Sequence, residues 1–146
     1  AISFGSVPFD TEYEAAYRLT VDTNATEGYQ LFMYARQPMT DAYGNIIAPV
    51  SGTNAEPDGW SDVCSPTAAG CIGYHVGDDS LSGGSTRFAP NDTYAGLSTT
   101  TLEEVMYSAQ PSVSDVEDVI FRLQVSNQQP AGDYQQEIVF ISVPIF

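Results

Sequence analysis

Apolar and polar positions alternate along this chain in short runs, and turn residues break the runs. In "AAYRLTVDT" Tyr17, Leu19 and Val21 share one face while Arg18, Thr20 and Asp22 share the other, the period of a half-buried strand. "YQLFMYARQ" repeats the pattern with Tyr29, Leu31, Met33 and Ala35 against Gln30, Phe32, Tyr34 and Arg36. The turn sequence "NATEG" lies between them, so the two read as a hairpin. "IIAPV" is a short strand ended by Pro49, after the turn residues of "DAYGN". Residues 51 to 70 are rich in Gly, Pro, Ser and Asp and hold the single Trp60, which predicts one long ordered loop.

Further strands follow. "IGYHV" reads as a strand, "GDDSLSGGS" as a loop, and "TRFAP" as a short extended piece. "TTLEEVMYSA" is ambivalent: Thr101 with Glu104 suits a helical capping box, whereas Val105 and Tyr107 alternate. A strand over 104–109 is the expectation. "VEDVIFRLQV" puts Val119, Phe121, Leu123 and Val125 inward, and Asp118, Ile120, Arg122 and Gln124 outward. "SNQQPAGDY" reads as a hairpin-type connection to the closing strand. Eight or nine short strands without repeat or linker predict an all-β protein: one antiparallel β-sandwich domain over 1–146. Its expected core joins Tyr17, Leu19 and Val21 to Leu31, Met33, Phe121 and Leu123.

The two ends of the chain break the simple pattern. In "EIVFISVPIF" Ile138 and Phe140 point one way while Val139, Ile141 and Val143 point the other, so both faces are apolar. Three arrangements would cover the second face: a roof from the 51–70 loop, a neighbouring subunit or incoming strand, or a membrane. The run is too short to cross a bilayer as a helix. Pro144 suits an edge or a strand terminus. At the other end, "AISFGSVPF" is a short apolar strand candidate with Ile2, Phe4 and Val7, of the composition that could add to a neighbour's sheet.

Composition supports strands, with nine Tyr, seven Phe and 12 Gly and 9 Pro for turns. Charge narrows the partners. Nineteen acidic residues face four arginines and no lysine, a net charge of −15. Phosphate binding needs clustered cations, so nucleic acid is excluded as a partner, and an anionic lipid surface is repelled. Without lysine, Lys–Asn isopeptide cross-links cannot form within the chain.

Cys64 and Cys71 in "CSPTAAGC" are spaced to close a small disulfide loop, which implies an oxidising, extracytoplasmic compartment. Zinc would need more ligands than the lone His75 supplies. With no leader-like run, the chain from Ala1 reads as a processed product. No nucleophile elbow accompanies the Ser, His and Asp residues, and neighbouring carboxylates such as Glu103–Glu104 face opposite sides of a strand. No enzyme is expected. Calcium is the one metal worth weighing, at "GDDSLSGG", although the EF-hand spacing is absent. No other cofactor is implied. Trp60 with Tyr34 or Tyr74 could form a sugar-stacking platform, and Asn24 and Asn91 head glycosylation sequons.

The order "ISFGSVPF", "LTVDTNATEGYQL" and, far downstream, "QPAGDYQQEIVFISVPIF" resembles secreted bacterial β-sandwich domains of the spore coat protein U type. Phe4-Gly5 matches their early Phe-Gly, and Ala131-Gly132 with Tyr134 matches their late Ala-Gly-x-Tyr. The resemblance implies an immunoglobulin-like, pilin-like sandwich that builds extracellular fibres or coats by strand exchange. The expectation is therefore a cell-surface subunit that polymerises with itself through Ile2, Phe4 and Val7 and through Ile138, Phe140, Ile141 and Val143. The alternative is a monomeric cell-surface module whose 51–90 loops, with Trp60 and Tyr74, contact carbohydrate or protein.

Overall fold

A computed structural model describes residues 2–65, 67–78, 80–82, 87–89 and 91–146. Among these residues the elements are β1 (Tyr13–Thr23), β2 (Tyr29–Ala35), β3 (Met39–Thr40), β4 (Ile46–Pro49), β5 (Asp58–Gly59), α1 (Trp60–Val63), β6 (Gly70–Val76), β7 (Thr93–Tyr94), β8 (Glu103–Ser108), β9 (Ser112–Val125) and β10 (Ile138–Pro144). The protein is all-β. Five strands form one sheet in the order β1-β9-β6-β4-β3, three form a second in the order β10-β2-β8, and β5 pairs with β7. The β4–β6 pair is parallel, which departs from the purely antiparallel sheets expected.

The two larger sheets share a core. Leu19, Val21, Tyr74, Val76, Val119 and Phe121 enter it from the five-stranded sheet, and Tyr29, Leu31, Met33, Val105 and Met106 from the three-stranded one. The inward faces read from alternation in β2 and β9 are the faces buried here. Two members of the expected core lie elsewhere. Leu123 belongs to a second cluster with Met39, Ile47, Ile72 and Val125, and Tyr17 is 40% exposed, its ring stacked on Phe140.

Strand faces were legible; partners were not. β1 and β2 form no hairpin, because β1 pairs with β9 and β2 with β10 and β8. The chain crosses from one sheet to the other between them. That crossing buries Ala25 and uses Gly28 at φ +80, where a Cβ would collide with the Ser108 carbonyl. "SNQQPAGDY" likewise crosses between sheets, and Gln135 bridges to Thr40 on the way. The expected 104–109 strand is β8, and no helical turn starts at Thr101. "TRFAP" falls partly outside the described residues, and its Arg87 and Phe88 lie in a turn.

The long excursion is a roof, but over a different strand from the last one. Val50, Trp60, Val63 and Tyr94 pack with Cys71 on the outer face of the five-stranded sheet. Every residue of β6 is buried in consequence. Gly73 permits this approach, since a Cβ there would lie 2.8 Å from Val50 and 3.2 Å from Trp60. The disulfide Cys64–Cys71, with Cα atoms 5.7 Å apart, ties the end of α1 to β6 and so fastens the roof to the sheet. Reducing it should cost about 2 kcal/mol, the low end expected of so small a loop. Urea melts with and without reductant measure this, and coincident melts would show that the bond contributes nothing.

Candidate functional site

Ile2 and Phe4 near one end of the chain and Ile138 and Phe140 near the other pack against the same core cluster. β10 is an outer strand, paired only with β2 over Ile138↔Ala35 to Pro144↔Tyr29. Arg36 N–H donates to the Glu137 carbonyl, and Ile145 N–H donates to the Gly28 carbonyl. Backbone groups alternate sides along a strand, so the odd-numbered residues face β2. The even-numbered ones, Ile138, Phe140 and Ser142, present N–H and C=O to the open side, and Pro144 presents C=O alone. No described strand pairs with them.

This edge is also apolar and uncharged from Ile138 to Phe146. Ile141 is 37% exposed, Val143 41% and Phe146 83%. On the outer face of the sheet Val139 stands opposite Tyr34, and Ile141 opposite Phe32; Ile141 is exposed and the other three are half-buried. The doubly apolar strand therefore has one face on the core and one that is only partly covered.

Of the other three edges of the two larger sheets, β3 bridges to Gln135 through Thr40, and β1 and β8 are guarded. At β8, Asp78 accepts a hydrogen bond from Tyr107 N–H at 2.9 Å, and Glu104 accepts from Ser82 N–H at 2.7 Å. At β1, exposed Glu14, Arg18 and Asp22 set charges along the strand, the usual protection against edge pairing.

The first residues do not form the expected strand. Ile2, Phe4 and Val7 are half-buried in irregular chain, with Ile2 and Phe4 on the first cluster and Phe4 and Val7 on the second. They fill space in their own subunit. The physical reason is backbone geometry: Gly5 at φ +64 and Asp10 at φ +56 turn the chain twice within six residues.

The proposed sugar platform is not there. Trp60 is 4% exposed and Tyr74 fully buried. Trp60 donates its Nε1–H to Gln124 and meets the Tyr94 ring edge-on at 5.2 Å. The Tyr74 hydroxyl accepts from Asn54 Nδ2, and burial pushes its ionisation upward. Tyr34 lies on the three-stranded sheet, away from both. Trp60 of the excursion faces inward over the outer face of β6, and Tyr74 of β6 faces the core between the sheets.

Arg122 organises that roof, a role its outward position in β9 did not announce. Its guanidinium is paired with Glu12, Glu14 and Asp92 and lies 4.4 Å from the Tyr94 ring centre. The hydrogen bond from Arg122 lowers the Glu14 carboxyl below its ordinary range, while burial raises the Tyr94 hydroxyl that donates to Glu14. With only four cations in the chain, the one arginine among outward polar residues of a long strand was the available signal.

The remaining candidates are scattered. His75 is buried with Nδ1 2.8 Å from the Thr93 carbonyl. Asp78 already accepts from Ser80 N–H, Ser80 Oγ and Tyr107 N–H, and the Asp79, Gly83 and Gly84 of the calcium candidate lie outside the described residues. Among the described residues no group of three acidic, His or Cys side chains could hold a metal. Asn24 and Asn91 are exposed. Asn91 borders a concavity of about 400 Å³ whose cation, Arg18, is already held by both oxygens of Asp118 at 2.9 Å. No described helix is long and apolar enough to cross a membrane. No protein-family model, no curated protein and no solved structure matches the chain.

Proposed function

We propose that the chain is a structural subunit of an extracellular filament, pilus or surface coat: an immunoglobulin-like, pilin-like sandwich joined to its neighbours by β-strand addition. The carrying observation is the edge of β10, unpaired, uncharged and apolar, while the edges of β1 and β8 are guarded. An edge left in that state aggregates unless it has a partner. Strand addition supplies one through main-chain hydrogen bonds and alternate side-chain pockets. The disulfide supports an oxidising compartment outside the cytoplasm. The inward-facing Trp60 and Tyr74 favour this reading over a carbohydrate-binding module, and no residue is assigned a catalytic role.

A net charge of −15 opposes self-association, and salt screens that repulsion. Oligomers should therefore grow with both protein and salt concentration, up to filaments visible by electron microscopy. Sedimentation of the purified chain is the test. A chain that stays monomeric at high concentration and high salt rejects the reading.

A further inference from the structure

Two acceptor sequons that are equal in sequence are unequal in the fold. Asn24-Ala25-Thr26 begins just after β1, where the chain leaves one sheet for the other. Ala25 is 1% exposed and anchors the crossing, whereas Asn24 and Thr26 on either side of it are exposed. The local backbone is held without their side chains. Ala25 N–H donates to Thr23 Oγ1, and Gly28 N–H donates to the Ala25 carbonyl. Among the described residues neither the Asn24 amide nor the Thr26 hydroxyl has a hydrogen-bond partner.

Asn91-Asp92-Thr93 is fastened at both residues after the Asn. Asp92 pairs with Arg122 at 2.9 Å. Thr93 is 9% exposed and lies in β7 opposite Gly59 of β5, and its carbonyl holds His75 Nδ1 at 2.8 Å. Asn91 is open to solvent; its threonine is not.

We propose that the folded chain accepts an N-linked glycan at Asn24 and not at Asn91. The acceptor pattern needs the hydroxyl residue as well as the Asn, so a transferase must reach both at once. The 24–26 crossing offers both from a fixed backbone. Reaching Thr93 means opening the β5–β7 pair and the Arg122 cluster first. The donor is a lipid-linked oligosaccharide phosphate, met in the extracytoplasmic compartment that the disulfide implies. The Asn24 side-chain nitrogen attacks C1 of the first sugar. A C1–N bond forms as the C1–O bond to phosphate breaks, the phosphate leaves with that electron pair, and one amide proton passes to the transferase's base. Nothing is oxidised or reduced. The product is a bulky, water-seeking group on the surface at the end of β1. This inference needs the compartment and the exposed crossing, and it stands apart from the assembly reading.

Two preparations of the full chain test it. One is secreted from a host that N-glycosylates. The other is purified unmodified and folded, then given to an oligosaccharyltransferase with a lipid-linked donor. The chain has no lysine, so trypsin cuts only after arginine, leaving Asn24 in the peptide 19–36 and Asn91 in 88–122. Amidase release of the glycan in heavy-oxygen water turns each modified Asn into labelled Asp, and mass spectrometry reads both peptides. Peptide 19–36 should be labelled in both preparations, with occupancy at least about tenfold above 88–122, because transfer to Asn91 waits on local opening. Asn24→Gln and Thr26→Ala should each remove the glycan, whereas Thr26→Ser, which keeps a hydroxyl, and Asn91→Gln should retain it. These positions are exposed, so urea melts of the unmodified variants should match wild type. An unlabelled 19–36 in both preparations overturns the proposal. Labelling of 88–122 equal to that of 19–36 in the folded, purified chain overturns the choice of Asn24 over Asn91.

Discussion

Replacing Phe121 with Ala should remove about 3–5 kcal/mol of stability, the range for emptying a large aromatic site in a packed core. Phe121 is 2% exposed and sits in the middle of β9, opposite Ala15 of β1 and Tyr74 of β6. It enters the cluster that joins the two larger sheets, so its loss leaves a void that neither sheet can close without moving the other. Such a loss is a large share of the roughly 5–15 kcal/mol that holds an ordinary domain together. Val113 lies in the same strand but is 88% exposed, and Val113→Ala should stay within about 0.5 kcal/mol. Urea denaturation of both variants makes the comparison. A Phe121→Ala chain within 1 kcal/mol of wild type would mean that the shared core has been wrongly drawn.

That prediction depends on a part of the fold that was legible in the chain. The period-2 pattern of "VIFRLQV" states which side chains of β9 are buried, and the structure buries those. Alternation carries no information about the neighbour, however. Leu19 and Leu31 would face one core either as hairpin partners or as members of opposed sheets. The choice falls to the turn between them, where Ala25 and Gly28 pack against the rest of the chain instead of forming a two-residue loop. The same ambiguity misplaced Leu123, which faces inward as expected but at the end of the sheet that β3 and β4 cover.

The terminal segments were misread for a different reason. "AISFGSVPF" has the composition of a strand, but Gly5 at φ +64 and Asp10 at φ +56 turn the chain out of an extended run. Its apolar side chains were correctly seen as needing burial; the main chain was not. "IVFIS" announced two apolar faces, and the roof that would have explained them lies over β6. β6 gave only a weak signal, since "GCIGYHV" is buried on both faces yet contains Gly and His. Trp60 shows the converse, whereas Tyr74 is a strand residue of the core between the sheets. In a loop-rich region, aromatic residues suit a binding surface and a roof equally well, and only the burial of the sheet beneath decides between them.

Ser142→Pro should weaken assembly at least about tenfold while leaving the subunit folded. Ser142 sits between Ile141 and Val143, whose backbone groups face β2, so its own N–H points to the open side of β10. Proline there removes one outward donor and puts its ring where an incoming strand would lie, without removing any hydrogen bond to β2. Pro144 already occupies the equivalent position two residues on, opposite Tyr29, so the strand tolerates the residue. The lost hydrogen bond alone is worth about 0.5–1.5 kcal/mol. The ring's clash with the approaching backbone adds to that, and together they should weaken association by at least about tenfold. Ile141→Pro is the control, since it deletes a bond within the sheet and should destabilise the subunit itself. Sedimentation reports assembly and urea melts report folding. If Ser142→Pro assembles like wild type while remaining folded, the open edge of β10 is not where subunits join.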